Sequence, residues 1–195
     1  SGSDPVQLLE LFAVIASVQR KVYDGEYDEA LDEWKSLRRH VTRLPYRRMQ
    51  FIRIAGESLG ALIALHGLAG NRSPQAVRRV GRLINRLRRE RLAHADVLAN
   101  LYDGLLHRTQ STGPTDARAD AARVYLNAAH EQAGVLGLRP FQLAAADALA
   151  EIDDDAAVGH LCEAMRLQGI ARPESFARLY TVVPARAPGG RLSDD

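Results

Sequence analysis

The chain is poor in the residues that most often lock a fold or carry chemistry. One cysteine, Cys162, in 195 residues excludes an internal disulfide and any zinc site built on several cysteines. It sits beside Leu161 and Met165 with no motif that marks a nucleophile, so it reads as inert core. The six histidines are His40, His66, His94, His107, His130 and His160. None lies three or four residues from another histidine or from the cysteine, which is the helical spacing of paired metal ligands. His40, near a helix end, reads as a favourable charge partner for that end. Aromatic residues make up only 6% of the chain, which leaves little material for stacking bases. Gly67 to Gly70 lacks the Lys-Ser/Thr that would make it a phosphate loop. Apolar runs are interrupted well short of the about 20 residues that span a bilayer, and no export signal is visible. These absences predict no catalytic residue, no cofactor and no metal, with a reducing, cytoplasmic compartment as the default.

What is present is helical. Apolar residues at 46% suffice for a buried core, and they recur at helical rather than alternating spacing. Ser1-Gly2-Ser3 reads as a cloning scar, and Asp4-Pro5 as a cap with proline at the first helical position. A first helix runs from Pro5 to Tyr23, with Leu8, Leu11, Phe12, Ile15, Val18 and Val22 on one face. Asp24-Gly25 breaks it, and Glu26 to Val41 follows with Ala30, Leu31, Trp34, Leu37 and Val41 inward. A third helix is expected from Pro45 to about His66, carrying Met49, Ile52, Ala55, Leu59, Leu62 and Ile63, and then a loop from Gly67 to Ser73. Ser73-Pro74 starts a helix reaching about Arg91, with a break before Ala93 and another helix to Arg108. Thr115 or Asp116 caps an Ala-rich helix to about Gly134, with Ala121, Val124, Tyr125, Ala128 and Ala129 on its faces. Further helices are expected from Pro140 to Ile152, from an Asp153–Asp155 cap to Gln168, and from Pro173 to about Tyr180. Residues 4–183 form one all-α domain in this reading, and 184–195 a flexible tail. Short loops between helices predict antiparallel pairs, stacked as an irregular α-solenoid or a compact helical-repeat domain.

The segment from Tyr23 to Leu37 resembles the middle of a tetratricopeptide repeat. Gly25 stands where that family turns between paired helices, Tyr27 where an aromatic packs under the turn, and Ala30 where the helices meet. Trp34 takes a second aromatic position, although the small residue expected next is the larger Leu37. The second half is similar to the C-terminal repeat regions of large bacterial, myxobacterial-type serine/threonine protein kinases and related multidomain signalling proteins. Leu87 to Leu92, Leu138 to Phe141, Ala164 to Pro173 and Ala187-Pro188-Gly189 carry that likeness. It implies a regulatory or partner-binding region of a larger protein, while the kinase motifs themselves are absent from this chain.

The formal net charge of +2 conceals local asymmetry. Asp24 to Glu33 is dense in carboxylates, and Arg72 to Arg91 is dense in arginine. Arg78, Arg82, Arg86 and Arg89 recur at spacings of four, four and three, which aligns them on one helical stripe flanked by Arg79. Such a stripe can be a solvated face paired to acidic neighbours. It can also be a site for an acidic or phosphorylated protein, or for nucleic acid. The expected partner is a protein, a peptide or another domain of the parent chain. Nucleic-acid or anionic-surface binding through residues 74–91 is the alternative, and no membrane is implied.

Overall fold

A computed structural model describes residues 5–41, 49–70, 72–153 and 160–182, except the side chains of 5–8, 40, 41, 69, 70, 160 and 174. His40, Pro45, Asp154, Asp155 and the 184–195 tail therefore lie outside it, in whole or in side chain. The described residues hold nine α-helices and no strand: α1 (Pro5–Asp24), α2 (Tyr27–Val41), α3 (Gln50–Gly70), α4 (Pro74–Arg89), α5 (Ala93–Gln110), α6 (Ala117–Val135), α7 (Arg139–Ile152), α8 (His160–Leu167) and α9 (Pro173–Ala177).

The helix ends follow from local chemistry. Gly25, Gly137 and Gly169 all adopt positive φ, and the residue after each donates its backbone N–H five residues back: Glu26 to Lys21, Leu138 to Ala133, and Ile170 to Met165. This left-handed stop suits glycine because it has no Cβ to clash. At the starts, Ser73 Oγ accepts from the Ala76 N–H, and Asp116 accepts from the N–H groups of Arg118 and Ala119 at 2.8 and 2.7 Å. The α4–α5 break falls where expected, with Arg91 at φ 52°. Two expectations need correction. The third helix does not end at His66 but continues through Gly67 to Gly70, because Leu68 is buried and holds that turn against the core. The last helix stops at Ala177, and single turns carry the chain on to Thr181.

Each helix packs on the next, and α3 also meets α5, as α5 meets α7. Contacts between alternate helices are the signature of stacked helix pairs, and the chain is an all-α helical-repeat domain. One cluster built on Leu62, Leu65, Leu83, Ile84, Leu101, Tyr102, Leu105 and Leu126 runs through it. Close approach depends on small residues at two points. A Cβ on Gly60 would fall within 3.0 Å of three Trp34 ring atoms, and one on Gly104 would meet Leu126. The stretch Gln50–Leu68 of α3 is long and apolar enough to cross a membrane by length and composition. Here it is a central helix packed on α2, α4 and α5, with 56% of the stretch buried.

The C-terminal segment closes one end of the stack. Arg178 donates to the Tyr23 carbonyl at 3.1 Å, and its own carbonyl accepts from His66 Nε2 at 3.1 Å. Arg172 lies over the Tyr23 ring, and Arg108 bonds both the Val182 carbonyl and Glu151. These contacts gather the C-terminal ends of α1, α3, α5 and α7, so they cap the end of the stack where the odd-numbered helices finish.

Candidate partner-binding cleft

At the opposite end the described residues leave a recess. There the N-terminal halves of α1 and α3 meet the C-terminal halves of α2 and α4 around a cleft of about 410 Å³. Leu11 and Ile15 from α1, Leu37 from α2 and Ile52 from α3 supply its apolar floor, and Trp34 closes the inner side. Leu11, Leu37 and Ile52 form a cluster separate from the main core. Phe12, one turn before Ile15, and Met49, one turn before Ile52 and Arg53, extend this surface by helical spacing. Both are about half exposed, Phe12 at 45% and Met49 at 48%. That departs from the inward positions predicted for them, because Leu11 and Ile52 on the same turns are the residues turned inward.

The walls are basic. Arg38, Arg53, Arg86 and Arg89 line the cleft with two acids, Glu57 and Glu90. Across the Trp34 side a shallower groove is lined by Lys35, Arg38, Arg39 and Arg79. Trp34 is the hinge between them: it is 3% exposed, its indole N–H donates to the Gly56 carbonyl at 2.9 Å, and Arg38 and Arg79 flank its ring. Trp34 therefore packs against α3. Tyr27, the first residue of α2, stacks on His66 at 4.3 Å. Gly25 and Ala30 sit at the turn and in the α2 core respectively.

The two acids are held very differently. Glu90 receives a two-pronged contact from Arg53, at 2.8 and 2.6 Å, and these hydrogen bonds hold its carboxyl below the usual carboxylate range. Glu57 is part-buried between Arg86 at 3.4 Å and Arg38 at 3.6 Å. Burial pushes its carboxyl up, the Arg38 charge opposes that, and nearby Glu90 adds to it. Two guanidiniums at such distances do not fully compensate for the buried charge.

The arginine stripe is thus divided. Arg86 and Arg89 face the cleft, and Arg79 covers Trp34. Arg78 and Arg82 are exposed, and neither meets a carboxylate among the described residues. Arg88 turns the other way, pairing with Asp103 at 2.5 Å and lying over Tyr125. The acidic segment from Asp24 to Glu33 does not answer the stripe: Glu33 pairs with Lys21, Asp32 with Lys35, and Asp24 with Arg20 and Arg172. Arg38 went unnoticed in the sequence because nothing in α2 alone places it opposite Arg86. His66 and Asp147 are buried polar groups that periodicity did not single out. Asp147 accepts from the Leu161 N–H at the start of α8. Cys162 is half-buried against the core. No group of three or more His, Cys, Asp or Glu gathers in metal-binding geometry among the described residues.

The class defined by this architecture is a helical-repeat domain with an arginine-walled cleft at one end. No family model, characterised protein or solved structure matches the chain, so relatives lend nothing to the tetratricopeptide or kinase-repeat likeness.

Proposed function

We propose that this domain is a non-catalytic contact module that docks an acidic protein segment on the cleft between α1, α2, α3 and α4. The segment belongs either to a separate protein or to another domain of the same parent chain. The sequence likeness favours a regulatory role within a larger bacterial signalling protein of the serine/threonine kinase type, working in the cytoplasm. One observation carries the reading. Among the described residues of the cleft and its neighbouring groove, seven basic ones stand against two acidic ones, whereas the whole chain is nearly balanced at +2. That concentration lies over an apolar floor, which matches a ligand with apolar anchors and carboxylates. Nucleic acid is the second reading, favoured by Arg78 and Arg82 pointing to solvent. Against it, the only tryptophan is buried and offers no face to a base.

Fluorescence anisotropy with a labelled amphipathic peptide, leucines at helical spacing and glutamates elsewhere, separates the two when run beside a single-stranded oligonucleotide of equal charge. The peptide is expected to bind, and R38E/R86E/R89E to weaken it at least about tenfold, since each reversed charge now repels the ligand. Tighter oligonucleotide binding, abolished by R78E/R82E, would establish the alternative instead.

A further inference from the structure

Resting on that reading, we infer that Glu57 is a built-in competitor for the cleft: its carboxylate occupies the position between Arg38 and Arg86 that a partner's carboxylate takes on docking. Three observations converge. Arg38 comes from α2 and Arg86 from α4, and both converge on Glu57 of α3 at the cleft wall. The contacts are long, 3.6 Å for Arg38 and 3.4 Å for Arg86 to either oxygen of Glu57. Neither guanidinium makes the two-pronged contact that the neighbouring Arg53 makes with Glu90 at 2.6–2.8 Å. The same wall therefore holds one closed ion pair and one open one.

The open pair is the exchangeable one. An incoming carboxylate approaching Arg38 and Arg86 from solvent brings its own charge, and Arg89 on the rim has no carboxylate among the described residues to release. Arg53 gains nothing by exchange, because it already holds both oxygens of Glu90 at 2.6–2.8 Å. The raised carboxyl of Glu57 fits this role, since its charge is poorly compensated before a partner arrives. The apolar anchors of the ligand enter over Leu11, Ile15, Leu37 and Ile52, so the competition concerns only the charged half of the contact.

The occupant this selects is an amphipathic acidic helix. The apolar surface extends past the cleft onto Phe12 and Met49, farther than a single small carboxylate would cover. Docking then exchanges a carboxylate of this chain for one of the partner's, and the native affinity is set below what the arginines alone would give.

Glu57→Gln tests this in the intact domain with the same leucine–glutamate peptide. Removing the competing charge while keeping the shape is expected to tighten binding by about three- to tenfold, and the salt dependence should steepen because two arginines are now free. Glu57→Met, apolar and similar in volume, serves if the glutamine variant fails to fold, and thermal unfolding of both variants is measured alongside. Unchanged or weaker binding by a folded Glu57 variant, with wild-type binding still lost in R38E/R86E/R89E, overturns the competitor and leaves the docking site standing. Absence of binding by wild type and variant alike overturns both. Binding by the variant alone supports the competitor in its strongest form.

Discussion

Replacing Trp34 with alanine is expected to destabilise the domain by about 3–5 kcal/mol, the range for truncating a buried aromatic, and to lower Tm by roughly 6–20 °C. Trp34 is 3% exposed, bonds the Gly56 carbonyl and fills the space left by Gly60. It is therefore the side chain through which α2 is seated on α3. The cleft should suffer with it, because Arg38 and Arg79 both rest against the indole. A double-mutant cycle with Gly60→Ala isolates the contact. In the wild type the added methyl falls within 3.0 Å of the ring and is expected to cost about 2–3 kcal/mol. In the Trp34→Ala background it enters the cavity and, as a better helix former, should stabilise by up to about 1 kcal/mol. Equal effects of Gly60→Ala in both backgrounds, measured by urea unfolding, would show that the packing at this contact is wrongly assigned.

Acidification supplies the second large effect. His66 is 4% exposed, its Nε2–H donates to the Arg178 carbonyl, and burial favours the neutral ring. Burial drives its pKa down from 6.5 to about 4, the backbone bond to Arg178 partly opposes this, and the Arg178 and Arg108 charges reinforce it. The folded value is the depressed one, so the stability it contributes is complete above about pH 6.5. It is lost as pH falls toward 4, because the unfolded chain takes up a proton that the folded chain refuses. The loss across that window is about 3 kcal/mol. Glu57 and Glu151, whose carboxyls are raised chiefly by burial, act in the opposite direction, and Glu33, Glu90 and Asp116, held low by hydrogen bonds, act in the same one, so the His66 contribution is read as a difference. His66→Gln should be less stable than wild type at pH 7 and should lose this slope between pH 6.5 and 4. A wild-type slope that survives in His66→Gln would place the titration elsewhere. Release should begin at the C-terminal cap, where His66 meets Tyr27 and Arg178.

The fold was legible wherever a local rule governed it. Gly25, Gly137 and Gly169 stop helices by the same backbone geometry, and Ser73 and Asp116 start them through side-chain caps. Those signals sit within a few residues of what they control. The Ala-rich α6 shows where such rules fail. Alanine on every side leaves no dominant apolar face, and the buried side is Ala119, Ala122, Leu126, Ala129 and Ala133, while Val124 is 68% exposed. Its orientation is decided by Gly104 of α5, which admits Leu126, and that is a tertiary fact. The candidate site was half visible. Arg79, Arg86 and Arg89 could be found by spacing along α4, but their counterparts Leu11, Arg38 and Glu57 come from three other helices. The burial of His66 was hidden for the same reason, since its bonding partner Arg178 lies 112 residues away.

The central claim is that an acidic segment docks in the cleft at the end opposite the C-terminal cap. Trp34 is the chain's only tryptophan and lines that cleft, so its indole N–H resonance reports on the site directly. Heteronuclear NMR of the labelled domain titrated with the leucine–glutamate peptide should shift that signal together with Leu37, Arg38, Gly56, Glu57, Arg86 and Arg89, leaving α6 and α7 unmoved. Shifts centred on α6 and α7, or on Arg78 and Arg82 with the Trp34 signal unchanged, would contradict it.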